Sequence, residues 1–156
     1  MKRIAVSLMA AVTMLCSACA SSVDAVYNSN VKISGPSNTY NLNNDVQTID
    51  DQDYEGVMEF GGMGTVWTYD ASAEEEIDIS YQLSVSEGDA KLVMISPDGT
   101  LTILVENTSQ SQQEEIEAVN VKIQKGENRI KLVATDQSKL ELLLSAEVGE
   151  FHEIGL

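Results

Sequence analysis

The chain has 156 residues, 43% of them apolar, and carries 25 Asp+Glu against 9 Lys+Arg, a formal net charge of −16. That apolar content is enough for one domain with its own core and too much for a disordered chain. The acidity argues against nucleic acid as a partner, since phosphates would be repelled, and against docking on anionic lipid through a basic patch.

The chain opens on Met1-Lys2-Arg3, a short basic region. Residues 4–15 are then apolar, with only Ser7 and Thr13 interrupting. Twelve helical residues reach about 18 Å, short of a hydrocarbon core of roughly 30 Å. Small residues follow from Ser17 to Ser22. Basic, apolar, small is the order of a cleaved export signal. Leu15-Cys16-Ser17-Ala18-Cys19 resembles the lipobox of bacterial lipoproteins. That resemblance implies a leader of residues 1–18, cleavage before Cys19, and a diacylglyceryl anchor on the Cys19 thiol. It places the mature protein on the extracytoplasmic side of a membrane, held by acyl chains. Cys16 stands where a Leu is usual, and Ala18-Cys19-Ala20 also fits ordinary secretory cleavage, so plain secretion is the alternative. Cys16 and Cys19 are the chain's two cysteines, so beyond residue 19 there is no thiol for a disulfide, a zinc site or a nucleophile. Their spacing as a redox or metal pair fits poorly, because both lie in a segment expected to be removed or acylated.

Residues 19–30 are small and polar after the candidate anchor and read as a flexible tether. Eleven extended residues would reach about 35 Å. Residues 31–156 form the domain. Val31-Lys32-Ile33 and Tyr40-Asn41-Leu42 read as two short edge strands around a Gly35-Pro36 turn, with Asn43-Asn44-Asp45 a loop. Residues 57–60 read as a strand, Gly61-Gly62-Met63-Gly64 as a flexible link, and Thr65-Val66-Trp67-Thr68-Tyr69 as a β-branched and aromatic strand.

Residues 77–105 carry the clearest pattern. Ile77, Ile79, Tyr81, Leu83 and Val85 alternate with Asp78, Ser80, Gln82 and Ser84, the period of a half-buried strand. Breaks at Glu87-Gly88-Asp89 and Ser96-Pro97-Asp98-Gly99 predict a three-stranded antiparallel meander, with Leu101, Ile103 and Val105 sharing a face. A polar loop follows. Val119, Val121 and Ile123 alternate next, then Ile130, Leu132 and Ala134 after a Lys125-Gly126-Glu127-Asn128 turn. Leu140, Leu142 and Leu144 alternate after Asp136-Gln137-Ser138, and an acidic tail closes the chain. Eight to ten short strands with no long amphipathic helix predict an all-β antiparallel sandwich or barrel.

The strand, Lys-Gly-Glu-Asn turn and Arg-Ile-Lys-Leu strand resemble the closing strands of jelly-roll sandwiches, such as galactose-binding-like and carbohydrate-binding modules. The same stretch is similar to the sandwich domain of small bacterial lipoproteins of no assigned function. The resemblance spans roughly residues 64–145 and implies a jelly-roll fold; it carries no site residues with it.

Three constellations have chemical content. Asp51-x-Asp53-x-Glu55-Gly56 places carboxylates at alternate positions before a glycine, as calcium loops do. The twelfth position is Gly62 and no helices flank it, which excludes an EF-hand and leaves a weak loop site or a solvated acidic loop. Trp67 and Tyr69 are two apart on one strand face. Exposed, they would stack on sugar rings; buried, they are core. His152 is the only histidine and lies in the acidic tail, so it reads as a solvated surface residue. Paired carboxylates could hydrolyse a glycoside, though in so acidic a chain such pairs are unavoidable. These residues predict a lipid-anchored binding or scaffolding module, not an enzyme, whose ligand is a glycan or another envelope protein. The alternative is a small envelope carbohydrate-active enzyme. No cofactor is expected beyond weak calcium.

Overall fold

A computed structural model describes residues 23–111 and 115–155. The leader, Cys19 and both candidate cleavage points lie outside the described residues. In chain order the elements are α1 (Asp24–Tyr27), α2 (Asn30–Ser34), β1 (Thr39–Asp50), β2 (Asp53–Ala71), β3 (Glu75–Glu87), β4 (Asp89–Ile95), β5 (Leu101–Thr108), β6 (Glu117–Ile123), β7 (Gly126–Ala146) and β8 (Glu150–Phe151). All the strand pairs are antiparallel. The expected all-β sandwich is therefore what the chain forms. The chain crosses between layers at β3 to β4, β5 to β6 and β6 to β7, the alternation of a jelly roll.

Two of the strands are not short. The stretches read as strand, glycine link and strand are one strand, β2, of 19 residues. The pair on either side of Asp136-Gln137-Ser138 is likewise one strand, β7, of 21 residues. They pair with each other from Asp53↔Ser145 to Ala71↔Gly126. The predicted meander is also corrected. β4 pairs with β5, but β3 pairs with β6 and β7, not with β4. β3 and β4 run in line along the same edge of β7, β3 against residues 139–146 and β4 against residues 129–134.

One sheet thus folds over along a corner that crosses four neighbouring chain segments. The corner residues have positive φ: Asn44 at 49°, Gly62 at 103°, Gln137 at 57° and Gly88 at 79°. At Gly88 a Cβ would collide with the Ser138 hydroxyl. Ser138 is fully buried and donates to the Thr135 carbonyl at 2.8 Å, while Asp89 N–H donates to Thr135 Oγ1 at 3.0 Å. At Gly62 a Cβ would run into the Thr39 carbonyl. The glycines that look like a hairpin and a flexible link are instead where the ladders to β7 shift register and bend, pairing resuming on either side.

The layers bury their inner faces against each other. Ile77, Ile79, Tyr81, Leu83 and Val85 of β3 are all buried, as are Leu140, Leu142 and Leu144 of β7 and Ile130, Leu132 and Ala134 at its other end. Tyr81 OH bridges the layers, donating to the Leu104 carbonyl at 2.8 Å and to Glu117 at 2.9 Å. Burial, then that carboxylate, push the phenol up to about 12. In β5 a register shift opposite Leu92/Val93 splits the expected face: Val105 is buried while Ile103 is 48% exposed.

Residues 23–34 differ most from expectation. Where a tether and an edge strand were predicted, α1 and α2 pack on the outer face of the β2–β7–β4–β5 layer. Val26, Tyr27 and Ile33 are buried with Met63, Val93, Ile95 and Val133. Val31 is 86% exposed on α2. Lys131 is fully buried beneath this segment and donates to the Gly35 and Ser37 carbonyls, both at 2.8 Å. Burial, with Arg129 alongside, pushes its ammonium down to about 8. The acidic tail is also anchored. β8 pairs with β2 at Trp67 and Thr68, and Phe151 and Ile154 are buried.

Candidate functional site

Among the described residues the corner leaves one sheet face uncovered, on the layer ordered β1–β2–β7–β3–β6. Pleating decides which side chains point outward there. On β2 they are Asp53, Glu55, Val57 and Glu59, because Tyr54, Met58 and Phe60 are buried inside. On β7 they are Lys139, Glu141, Leu143 and Ser145, between buried Leu140, Leu142 and Leu144.

Register stacks these positions into rows. Asp50 lies opposite Asp53, Asp53 opposite Ser145, Ser145 opposite Ser80 and Ser80 opposite Ala118. The next row is Thr48, Glu55, Leu143 and Gln82. The third is Val46, Val57, Glu141 and Ser84. Two open depressions lie along these rows. One of about 480 Å³ is bordered by Thr48, Asp50, Asp53, Glu55, Ser80 and Leu143, with Ile116 at its rim. The other, about 390 Å³, is bordered by Val57, Glu59, Ser84, Lys139 and Glu141.

This face is acidic and polar, with small apolar side chains between the charges. Val46 is 69% exposed, Val57 46% and Ile116 64%. Lys139 is the basic group on its β7 strip, and it pairs with Glu87 at 2.8 Å. That hydrogen bond, then the charge of Glu87, hold its ammonium above the usual lysine range. No aromatic ring projects outward among the residues that build the rows. The face therefore offers carboxylate, amide and hydroxyl groups for hydrogen bonding, with short apolar patches between them, and no ring for stacking.

The residues singled out from sequence fall elsewhere or only partly here. Asp51 lies in the two-residue turn between β1 and β2, with φ 54°, while Asp53 and Glu55 point out from β2. Among the described residues no group of three or more His, Cys, Asp or Glu is placed to hold a metal ion. The extended strand spreads the carboxylates instead of wrapping them around one ion. Millimolar calcium is accordingly expected to leave the melting temperature unchanged, and the Asp51→Asn, Asp53→Asn, Glu55→Gln triple variant to behave as the parent does. A calcium-dependent rise of several degrees, lost in the triple variant, would restore the loop as a metal site.

Trp67 cannot act as a sugar platform from this conformation. It is fully buried, its Nε1–H donating to the Val148 carbonyl at 2.8 Å. A register shift between Thr65 and Trp67 lets Val66 and Trp67 both turn inward. Tyr69 is partly buried beside it, ring centroids 6.0 Å apart, and its hydroxyl donates to Glu75 at 2.8 Å. His152 is not a loose tail residue: its Nε2 lies 2.7 Å from Thr68 Oγ1, and its N–H donates to the Val66 carbonyl at 2.9 Å.

The outward residues Thr48, Gln82, Leu143 and Glu141 escaped the sequence reading as a group. Gln82 and Glu141 are visible as the polar positions of their own alternating strands, whereas Thr48 lies in a stretch that carries no strand reading. Leu143 even shows as an apolar residue on the wrong side. Nothing local says that these strands are neighbours.

No protein-family model and no curated protein matches the sequence. Several solved structures are similar in fold. One is a carbohydrate-binding module of family 29, 8% identical with a TM-score of 0.33, over 72% of this chain and 84% of that one. Another is a CBM4 structure, 7% identical with a TM-score of 0.33, over 69% and 78%. A third is the capsular polysaccharide assembling protein CapF from Staphylococcus aureus, 8% identical with a TM-score of 0.29, over 70% of this chain and 34% of that one. The overlap is loose and assigns neither a ligand nor a site.

Proposed function

We propose that this chain is an exported, lipid-anchored, non-catalytic binding module that takes a glycan on the outer face of its β1–β2–β7–β3–β6 layer. The observation that carries the reading is the in-register interleaving of carboxylates, amide and hydroxyls with Val57 and Leu143 across the middle of that face. A sugar presents hydroxyl donors around an apolar ring face. Carboxylates accept sugar hydroxyls in short charge-assisted bonds, and the small apolar side chains meet the C–H surface. The face is open along its length, which suits a chain-like ligand. Glycosidic hydrolysis would need two carboxylates set across a substrate in a water-excluding site, and this face is exposed.

A glycan array read with the soluble Cys19→Ser protein tests the proposal. Glu55→Ala and Glu141→Ala are each expected to weaken a positive glycan about tenfold, equivalent to about 1.4 kcal/mol. Glu150→Ala, on β8 and remote from the rows, is expected to leave it unchanged. No binding to any glycan, or equal loss from all three variants, would remove the assignment.

A further inference from the structure

We propose that residues 23–38 are a fixed bracket, so that the lipid on Cys19 holds the domain by its corner, close to the bilayer, and presents the Asp51–Gln52 end of the polar face outward. This rests on the reading that Cys19 carries the lipid and deepens it by giving the module an orientation.

The bracket is fastened at several independent points. Val26, Tyr27 and Ile33 are buried in an apolar cluster on the second layer. Arg129 donates to the Ser34 carbonyl at 3.0 Å and the Gly35 carbonyl at 3.2 Å, and Lys131 reaches Gly35 and Ser37. Tyr27 OH donates to Glu106 at 2.7 Å, and the Lys91 ammonium lies 4.3 Å from the centre of the Tyr27 ring. Three of the chain's few cations thus serve this one segment. Helices of four and five residues would not persist alone; their order comes from this docking.

The first described residue, Val23, is buried, and its Cγ1 would lie 3.1 Å from a Cβ at Gly61. Gly61 sits at the corner where β2 bends. From Cys19 to Val23 is four residue steps, about 14 Å at full extension, against about 35 Å for a free eleven-residue tether. The β1–β2 hairpin lies eight residues along β2 from Gly61, about 26 Å away.

The test uses the acylated full chain in vesicles. Acylation consumes the Cys19 thiol and cleavage removes Cys16, so an introduced cysteine is the sole reactive one. Dyes are placed on Ala25→Cys, in α1, and on Asp50→Cys, at the hairpin, with energy-transfer acceptors on the lipid head groups. The hairpin probe is expected to stand about 20–25 Å farther from the acceptors than the α1 probe. Equal distances with the anchor intact would overturn the bracket. Ile33→Asp, with the core checked by Trp67 emission, is expected to abolish the difference; a difference that survives it would also overturn the proposal. Failure of the premise reads differently: a Cys19→Ser chain that still fractionates with membranes removes the anchor itself.

Discussion

Leu83→Asp is expected to destabilise the domain by about 4–5 kcal/mol, and Gln82→Asp, one residue earlier, by about 1 kcal/mol or less. Leu83 is 1% exposed and sits in the inner face of β3, opposite Leu142 of β7. A carboxylate there loses its water and gains no partner, and the cavity left by the missing methyls adds to the cost. Gln82 lies opposite Leu143 on the open face, where an acid stays hydrated. Urea unfolding followed by circular dichroism reads both. Equal losses would mean that β3 is flipped in register and that the polar face is misassigned, since a one-residue slip exchanges every side chain between faces.

Trp67→Ala is expected to cost about 3–5 kcal/mol. The ring is the largest fully buried side chain, and it joins β2 to the loop before β8 through the bond from Nε1 to the Val148 carbonyl. Its removal empties a site that Tyr69 and the tail also line, and leaves the Val148 acceptor without its indole donor. Parent emission should be blue-shifted and resist acrylamide. The variant should unfold at markedly lower urea with its secondary structure otherwise intact. Red-shifted, readily quenched emission together with a nearly unaffected variant would place the ring in solvent and revive the stacking platform.

Both outcomes bear on how far residues alone reach. The alternation of Ile77 to Val85, of Val119 to Ile123 and of Leu140 to Leu144 identifies strands and their inner faces without knowledge of any partner, because side-chain direction in a strand is a local consequence of the pleat. An all-β class follows from those runs and their spacing. The export reading of residues 1–19 rests likewise on the order of basic, apolar and small residues, but those residues lie outside the described ones and the reading stands as a proposal.

What the local pattern could not decide is whether a glycine reverses the chain or bends it. Glu87-Gly88-Asp89 has the composition of a hairpin, and Gly61-Gly62-Met63-Gly64 that of a link. In the folded chain β7 runs past both, and its hydrogen bonds continue on either side. Positive φ at Gly88 and Gly62 is a local property; the direction the strand takes afterwards is set by the partner that keeps pairing with it. The same holds for residues 23–34, whose polarity suits a tether. They are held by Lys131, Arg129 and an apolar strip on distant strands, contacts that exist only once β2, β4 and β7 lie side by side. The candidate face is the clearest case. Sequence marks Gln82 and Glu141 as outward residues of separate strands, but puts Glu55 in an acidic loop and assigns Thr48 to no strand; only the tertiary pairing of β1, β2, β7 and β3 sets the four in adjacent rows, because neighbour choice in a sheet is a long-range outcome of burying one face of every strand at once.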